Sequence, residues 1–391
     1  MIPRSRRLAV VLSHPTQYYS PWFRWLRAHT RLEFRVFYLW NFGVVDSHDK
    51  GFTTRFKWDI DLLSGYDSEF VPNSARHPGT EHFWGLRNPT LGARLAAWGP
   101  DAILLFGYNW ATHLAAIAWA RVHRIPLLFR GDSHLIGRPN PGFFRSLSLR
   151  LLYRQFAAVT YVGAANRAYF VRFGVPPERL FFAPHAVDDT LFDPRAEANR
   201  AAAAALRKQL NLAPSARVVL FAGKLLPAKQ PRELLCAFES VASDDSVLVF
   251  SGDGPERAGL EERARISPRG RQVHFLPFAN QSEMPARYLL ADIFTLPSRG
   301  LYETWGLAVN EAMHMGLPCL VSDRVGCQQD LVSDSETGWV FRASDEASLR
   351  ERLASALSAD LAPYRARVAE RISRYTYATA AAGLESALDS L

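Results

Sequence analysis

Two carboxylates, Glu303 and Glu311, stand eight positions apart in the stretch Ile293 to Asp323, and their type and spacing speak most directly of chemistry. The stretch runs from an apolar segment, Ile293 to Leu296, through a loop with Pro297 and Gly300, into a helical pattern closing at Gly316-Leu317-Pro318 before a second apolar segment. That order predicts strand, loop, helix, strand. A helix beginning near Thr304 or Trp305 sets Glu303 just ahead of its first turn and Glu311 about two turns along, roughly 12 Å up the axis. The pair would grip opposite ends of a small extended ligand, while the unpaired N–H groups of Trp305, Gly306 and Leu307 face an anion between them. An isolated helical glutamate is ordinarily solvated. Glu311, however, lies among Leu307, Ala308, Val309 and Ala312 between apolar strands, where an unpaired carboxylate is costly, so a buried role fits better.

Upstream, Phe221-Ala222-Gly223-Lys224 ends an apolar run, and Lys229 follows five residues later. Two cations reached across a glycine suit a diphosphate that gains charge as it leaves. Taken alone, the pair is equally compatible with two solvated surface lysines. Ser251-Gly252-Asp253-Gly254-Pro255 is a second strand-to-helix turn, either a plain tight turn or a place where backbone approaches a ligand closely. Other constellations are weaker. Glu311-Ala-Met-His314 matches a step of di-iron bundles, which need that step twice with carboxylates from two more helices. Asp59-Ile-Asp61 lacks a preceding strand and reads as loop, and Asn280-Gln281-Ser282 is a glycosylation sequon in form only.

These residues need a scaffold, and composition bounds it. With 391 residues, 48% hydrophobic and 12% aromatic, the chain is long enough for two compact domains, which excludes a disordered or fibrous protein. Cys236, Cys319 and Cys327 are scattered and form no CxxC, so neither a disulfide framework nor a zinc site is suggested and a reducing cytoplasm fits. No apolar run is long enough to span a bilayer, and Ile2, Arg4, Arg6 and Arg7 lead straight into a strand-like run, unlike a signal peptide. The net charge of +8 is uneven: residues 1–190 hold 23 Lys plus Arg against 13 Asp plus Glu, the remainder 23 against 25. A basic first half suits a phosphate-bearing substrate or anionic lipid. No nucleic-acid-binding motif accompanies it, so nucleic acid is not an expected partner.

The periodicity alternates strand and helix. Expected strands are Leu8–Ser13, Phe34–Tyr38, Ala102–Phe106, Leu127–Phe129, Ala158–Tyr161 and Leu180–Phe182, then Val218–Phe221, Val247–Phe250, Val273–Phe275, Ile293–Leu296 and Gly338–Phe341, with helices between. Residues 41–90 read as long loops with short elements. Such alternation implies parallel sheets covered on both faces, with a ligand cleft between two α/β domains beyond the carboxyl ends of their strands. The segment Pro141–Val159 mixes Phe143, Phe144, Leu147, Leu151 and Leu152 with Arg145, Arg150 and Arg154. It reads first as an ordinary helix covering the sheet, and second as a contact with an anionic membrane.

Together, GKLLPAKQ, SGDGP, LPSRGLYETWGLAVNEAMHMGLPCLVSD with its two spaced glutamates, and VGCQQDLV closely resemble glycosyltransferase family 4, retaining enzymes of the GT-B fold. PHAVDDTLF is similar to that family's segment ending the first domain, and VLSHPTQYYSPWFRWL resembles a bacterial polysaccharide subgroup. The resemblance implies two Rossmann-like, doubly wound parallel-sheet domains facing a central cleft: residues 1–190 for the acceptor and 191–375 for the nucleotide-sugar donor, with a C-terminal helix at about 376–391 packing back on the first. It further implies that Gly223, Lys224, Lys229 and Gly252 meet the donor diphosphate, that Glu303 meets donor-sugar hydroxyls and Glu311 the ribose, and that Thr304, Trp305, Gly306 and Leu307 surround the phosphates. Backbone near Pro277 and Phe278 would face the base. Catalysis would fall to Glu303 and Lys229, with Asp132 or His134 in place of the family's first-domain histidine, and His14, Gln17 and Tyr18 would stand on the acceptor side. The implied activity is metal-independent, cofactor-free hexosyl transfer from a UDP- or GDP-sugar to a glycan or lipid-linked acceptor, in the cytoplasm and peripheral to the membrane. A nucleotide-sugar-binding scaffold and a same-fold epimerase or phosphorylase are the alternatives.

Overall fold

The computed structural model describes residues 6–44, 47–48, 55–300 and 303–391. Ile2 and Arg4, and Leu301 and Tyr302 of the central stretch, lie outside the described residues. Two parallel sheets organise the chain. The first has seven strands in the spatial order Ser68–Phe70, Glu33–Tyr38, Arg7–Leu12, Ala102–Phe106, Leu127–Arg130, Ala158–Tyr161, Leu180–Phe182. The second has six, in the order Val273–Leu276, Ser246–Ser251, Arg217–Ala222, Ile293–Leu296, Cys319–Ser322, Gly338–Phe341. In each, the chain starts in the middle, winds to one edge, then returns to wind to the other. The switch points fall beside Arg7–Leu12 and Arg217–Ala222, where doubly wound sheets open a crevice for ligands.

The central strands are apolar along their whole length because helices cover both faces: Leu8 to Leu12 and Val218 to Ala222 are buried without alternation. The second domain's core is two clusters, one on either face of its sheet. The first domain is built likewise, and its second cluster is completed from far along the chain. Helix Tyr377–Asp389 packs on the strands Ala158–Tyr161 and Leu180–Phe182 and adds Tyr377, Ala380, Ala381, Leu384, Ala387 and Leu388 to the cluster that also holds Leu8, Val10 and Leu104. It comes so close at Gly383 that a Cβ there would sit 1.9 Å from the Phe182 carbonyl oxygen. Trp22 Nε1 donates to the Tyr377 carbonyl at 3.3 Å.

Two elements within or beside the loop-rich region are not named individually from the sequence. Ser68–Phe70 is an edge strand paired with Val36–Tyr38, although Ser-Glu-Phe carries no strand-like run. Its order comes from the neighbouring strand, not from local preference. Leu91–Trp98 is a helix burying Leu91, Leu95 and Trp98, a helical spacing in an element only eight residues long. Helix Phe143–Tyr153 also differs from an ordinary covering helix. It buries only Leu149 and Tyr153 and leaves Phe143 75%, Phe144 82%, Leu147 44% and Leu151 50% exposed. Among the described residues, no helix is long and apolar enough to cross a membrane.

Candidate active site

Beyond the carboxyl ends of both sheets lies a cavity of about 360 Å³. The first domain lines it with Gln17, Tyr18, Trp58 and Asp132, and the second with turns and helix starts that carry Gly223, Lys224, Lys229, Gly252, Phe278, Gln281, Tyr288 and residues 303–308, together with Glu311. Its floor is two glycine turns stacked on each other. Gly223 N donates to Ser251 O at 2.9 Å and Leu225 N to Asp253 O at 2.8 Å, so the pairing of the two central strands continues past their ends. A Cβ on Gly252 would meet the Gly223 carbonyl oxygen at 2.0 Å, and Gly252 itself adopts φ +145°. The requirement for glycine is therefore met by backbone packed on backbone, which brings both turns to the cavity wall.

Lys229 reaches the site from the short 3-10 turn Pro227–Lys229, held ahead of helix Pro231–Val241 by Gln230 in the left-handed conformation at φ 53°. Its Nζ lies 2.9 Å from Glu303 Oε2, both side chains being mostly buried. The cation and carboxylate that the sequence places 74 positions apart thus face each other directly.

The helix carrying Glu311 is Leu307–His314, two to three residues later than expected. Gly306 precedes it at φ +96°, tucked so tightly that a Cβ would meet Val325 Cγ1 at 2.9 Å. Glu303 to Trp305 are consequently loop, and the amides at the helix start belong to Leu307 and Ala308 rather than to Trp305 and Gly306. Glu311, 3% exposed, accepts hydrogen bonds from the Tyr288 hydroxyl at 2.7 Å and Gln281 Nε2 at 3.1 Å. Tyr18 of the first domain lines the same cavity and also lowers the Glu311 carboxyl. Burial pushes its carboxyl above the ordinary value, and these donors oppose that rise without cancelling it.

Opposite, Asp132 accepts a hydrogen bond from the Thr304 hydroxyl at 2.8 Å and lies 3.5 Å from His185 Nε2. Burial raises its carboxyl, but His185 and Thr304 outweigh burial and hold it below the usual range. Burial keeps His185 readily neutral. Asn310 Nδ2 donates to the His185 carbonyl at 3.1 Å, and Asn310 Oδ1 accepts from Trp305 Nε1 at 2.7 Å, which fixes the loop before the helix.

Three expected residues fall elsewhere. His134 points its Nε2 at the Glu303 carbonyl, 3.4 Å away, and lines a second cavity of about 650 Å³ with Arg138, Arg145, Tyr169 and Thr304. His14 packs edge-on against Trp40 and Phe42, and burial lowers its pKa to about 4. Pro277 does not line the cavity, although Phe278 does. Conversely, Trp58, Gln281 and Tyr288 line the cavity without a sequence signal of their own, and His185, the histidine of PHAVDDTLF, stands behind Asp132. Gln281 is visible only as the middle of a nominal sequon.

Residues 203–376 match the family described as glycosyl transferases group 1, and residues 65–186 match the glycosyl transferase 4-like domain. The chain is 30% identical over 223 residues to D-inositol 3-phosphate glycosyltransferase 2 of Catenulispora acidiphila, covering 54% of this chain and 50% of that one. It is 31% identical over 189 residues to a GDP-mannose-dependent alpha-(1-6)-phosphatidylinositol monomannoside mannosyltransferase of Mycobacterium tuberculosis, covering 46% and 48%. The chain thus spans about half the length of these curated relatives. Among solved structures, Anabaena Alr3699/HepE in complex with UDP and glucose superposes with a TM-score of 0.71 at 18% identity, over 99% of this chain and 100% of that one. At that identity the likeness speaks for the fold.

Proposed function

Because the chain belongs to the family-4-type glycosyltransferases of the GT-B fold, we propose that it moves a hexose-type sugar from a UDP- or GDP-sugar onto a glycan or lipid-linked acceptor of a surface polysaccharide. In this reading it works in the cytoplasm, with retention of configuration and without a metal. The observation that carries it is the Lys229–Glu303 pair, 2.9 Å apart at the cavity wall. One member suits a phosphate and the other suits sugar hydroxyls, and they meet where those two parts of a nucleotide sugar are joined.

The donor diphosphate lies along Lys224 and Lys229 and the amides at the start of helix Leu307–His314, which favour negative charge. Glu303 accepts from sugar hydroxyls and Glu311, at the inner end, from the ribose. As the bond from the anomeric carbon to phosphate oxygen breaks, charge grows on the diphosphate, where two lysines and helix amides stabilise it. The acceptor oxygen bonds to the same face of that carbon, and its proton passes to the departing phosphate. Asp132, oriented by Thr304 and His185, stands on the first-domain side of this step. The second cavity meets the donor cavity at Thr304 and offers the acceptor a place, with Arg138 and Arg145 for an anionic group. The exposed Phe143, Phe144, Leu147 and Leu151 on the adjacent helix suit peripheral contact with an anionic membrane.

The test is nucleoside diphosphate release from a panel of UDP- and GDP-sugars in EDTA, for wild type and Glu303→Ala. Release by wild type that falls at least 100-fold in the variant is expected. Undiminished release in the variant would remove the central assignment.

A further inference from the structure

The first domain sends a short segment across the cleft, Lys57 to Asp59. Asn280 Nδ2 donates to the Lys57 carbonyl at 2.7 Å, and Asp59 N donates to Asn280 Oδ1 at 3.3 Å. The Asp59 carboxylate accepts from Ser282 N at 3.3 Å and from the Ser282 hydroxyl. These anchors seat the segment on the helical turn Gln281–Glu283, which Asn280 and Glu283 already close as a capping box. The nominal Asp-x-Asp is thereby resolved: Asp59 holds the other domain, and Asp61 accepts from Leu63 N and Ser64 N within its own loop.

Between the anchored Lys57 and Asp59, Trp58 lines the donor cavity together with Phe278, Ala279 and Met284. It is backed by Gly43, at φ +83°, where a Cβ would meet Trp58 Cδ1 at 2.9 Å, and Trp58 N donates to the Gly43 carbonyl at 3.4 Å. The indole is thus fixed from behind and at both flanks.

Its place in the cavity follows from the sheet. Lys224 and Lys229 follow the strand Arg217–Ala222, while Phe278 and Ala279 follow the edge strand Val273–Leu276, two strands away. At about 4.8 Å per strand that is roughly 10 Å, the reach of a nucleoside from its phosphates. The far end is walled by Phe278, Ala279 and Met284 on the second domain and by Trp58 on the first, an apolar setting for a planar ring.

We infer that Trp58 covers the nucleobase of the donor, so that the first domain, through the Lys57–Asp59 strap, completes the nucleotide site of the second and helps select the base. This rests on the cavity taking a nucleotide sugar. The strap also ties base binding to the closed cleft, because the contacts that hold Trp58 over the ring are contacts between domains.

The full chain is titrated by calorimetry with UDP, GDP and inorganic pyrophosphate, as wild type and as Trp58→Ala, Trp58→Leu and Trp58→Phe. Stacking on an aromatic face is lost in the first two, which should weaken the preferred nucleoside diphosphate about 10- to 100-fold. Trp58→Phe should recover most of it, and pyrophosphate should bind all four alike. The leucine variant keeps apolar bulk at Gly43, so the comparison survives if the alanine variant folds poorly. Wild-type affinity for the nucleoside diphosphate in both Trp58→Leu and Trp58→Ala overturns the inference and leaves the nucleotide-sugar reading standing. Binding of neither diphosphate by wild type overturns both.

Discussion

Glu303 and Lys229 neutralise each other before any donor arrives, and that makes the carboxylate a competitor for the cation that the diphosphate needs. Glu303→Gln keeps the side chain's shape and removes its charge. With the two side chains 15% and 24% exposed, the pair is partly screened and contributes about 0.5–1 kcal/mol. Releasing Lys229 from it should tighten the binding of UDP or GDP, which carry no sugar, by about 2- to 5-fold. Lys229→Met does the opposite. It deletes a charge-assisted hydrogen bond of about 1.5–3 kcal/mol and should weaken the same nucleotide about 10- to 150-fold. Turnover of the sugar donor should fall in both variants, since one loses the contact with sugar hydroxyls and the other the stabilisation of the leaving group. Calorimetry with the nucleoside diphosphate, beside release kinetics with the intact donor, separates the two effects. If Glu303→Gln weakens the nucleoside diphosphate as strongly as Lys229→Met does, Glu303 touches the nucleotide itself and its assignment to the sugar is wrong.

Two further outcomes follow from other parts of the structure. Tyr288→Phe strips the 2.7 Å hydrogen bond from buried Glu311 and should cost about 1–3 kcal/mol in denaturant unfolding. Because the folded chain holds the Glu311 proton more tightly than the unfolded chain does, its stabilising contribution is complete below the ordinary value of 4.5 and fades as pH rises through the elevated folded value. Removing a donor raises that value further, so stability of the variant should keep declining to higher pH than in wild type, and parallel pH–stability curves would contradict this. On the membrane side, Phe143→Asp with Phe144→Asp alters two side chains at 75% and 82% exposure. It should leave the unfolding midpoint unchanged and abolish flotation with anionic vesicles at low salt, and unchanged flotation would exclude this helix as the contact.

The scaffold was legible because its strands are buried on both faces. Runs such as Ala102–Phe106, Ala158–Tyr161 and Ile293–Leu296 declare themselves by composition, and glycines mark where they turn toward the site. Ser68–Phe70 has no such run, and its partner strand decides its conformation. In the site, Glu303, Glu311, Lys224 and Lys229 were visible since their neighbours in sequence made a solvated role improbable or their turns were glycine-flanked. The partners of those groups were not. Glu311 is satisfied by Tyr288 and Gln281 from separate segments of its own domain, and Asp132 accepts from Thr304 across the cleft, pairings between residues far apart in the chain that only the folded structure brings together. The two- to three-residue displacement of helix Leu307–His314 has a similar origin. Gly306 is pressed against Val325 and Leu296, and no local pattern announces that contact.

The return of helix Tyr377–Asp389 to the first sheet means that the chain crosses between domains twice, once after Phe182 and once before Thr376. Two covalent crossings limit how the lobes can separate, since any displacement has to be accommodated at both. The contacts of Thr304 with Asp132 and of Asp59 with Ser282 both join the two domains at the cleft, so a change in how the lobes meet bears at once on the grip on the nucleotide and on the entry to the second cavity beside Thr304.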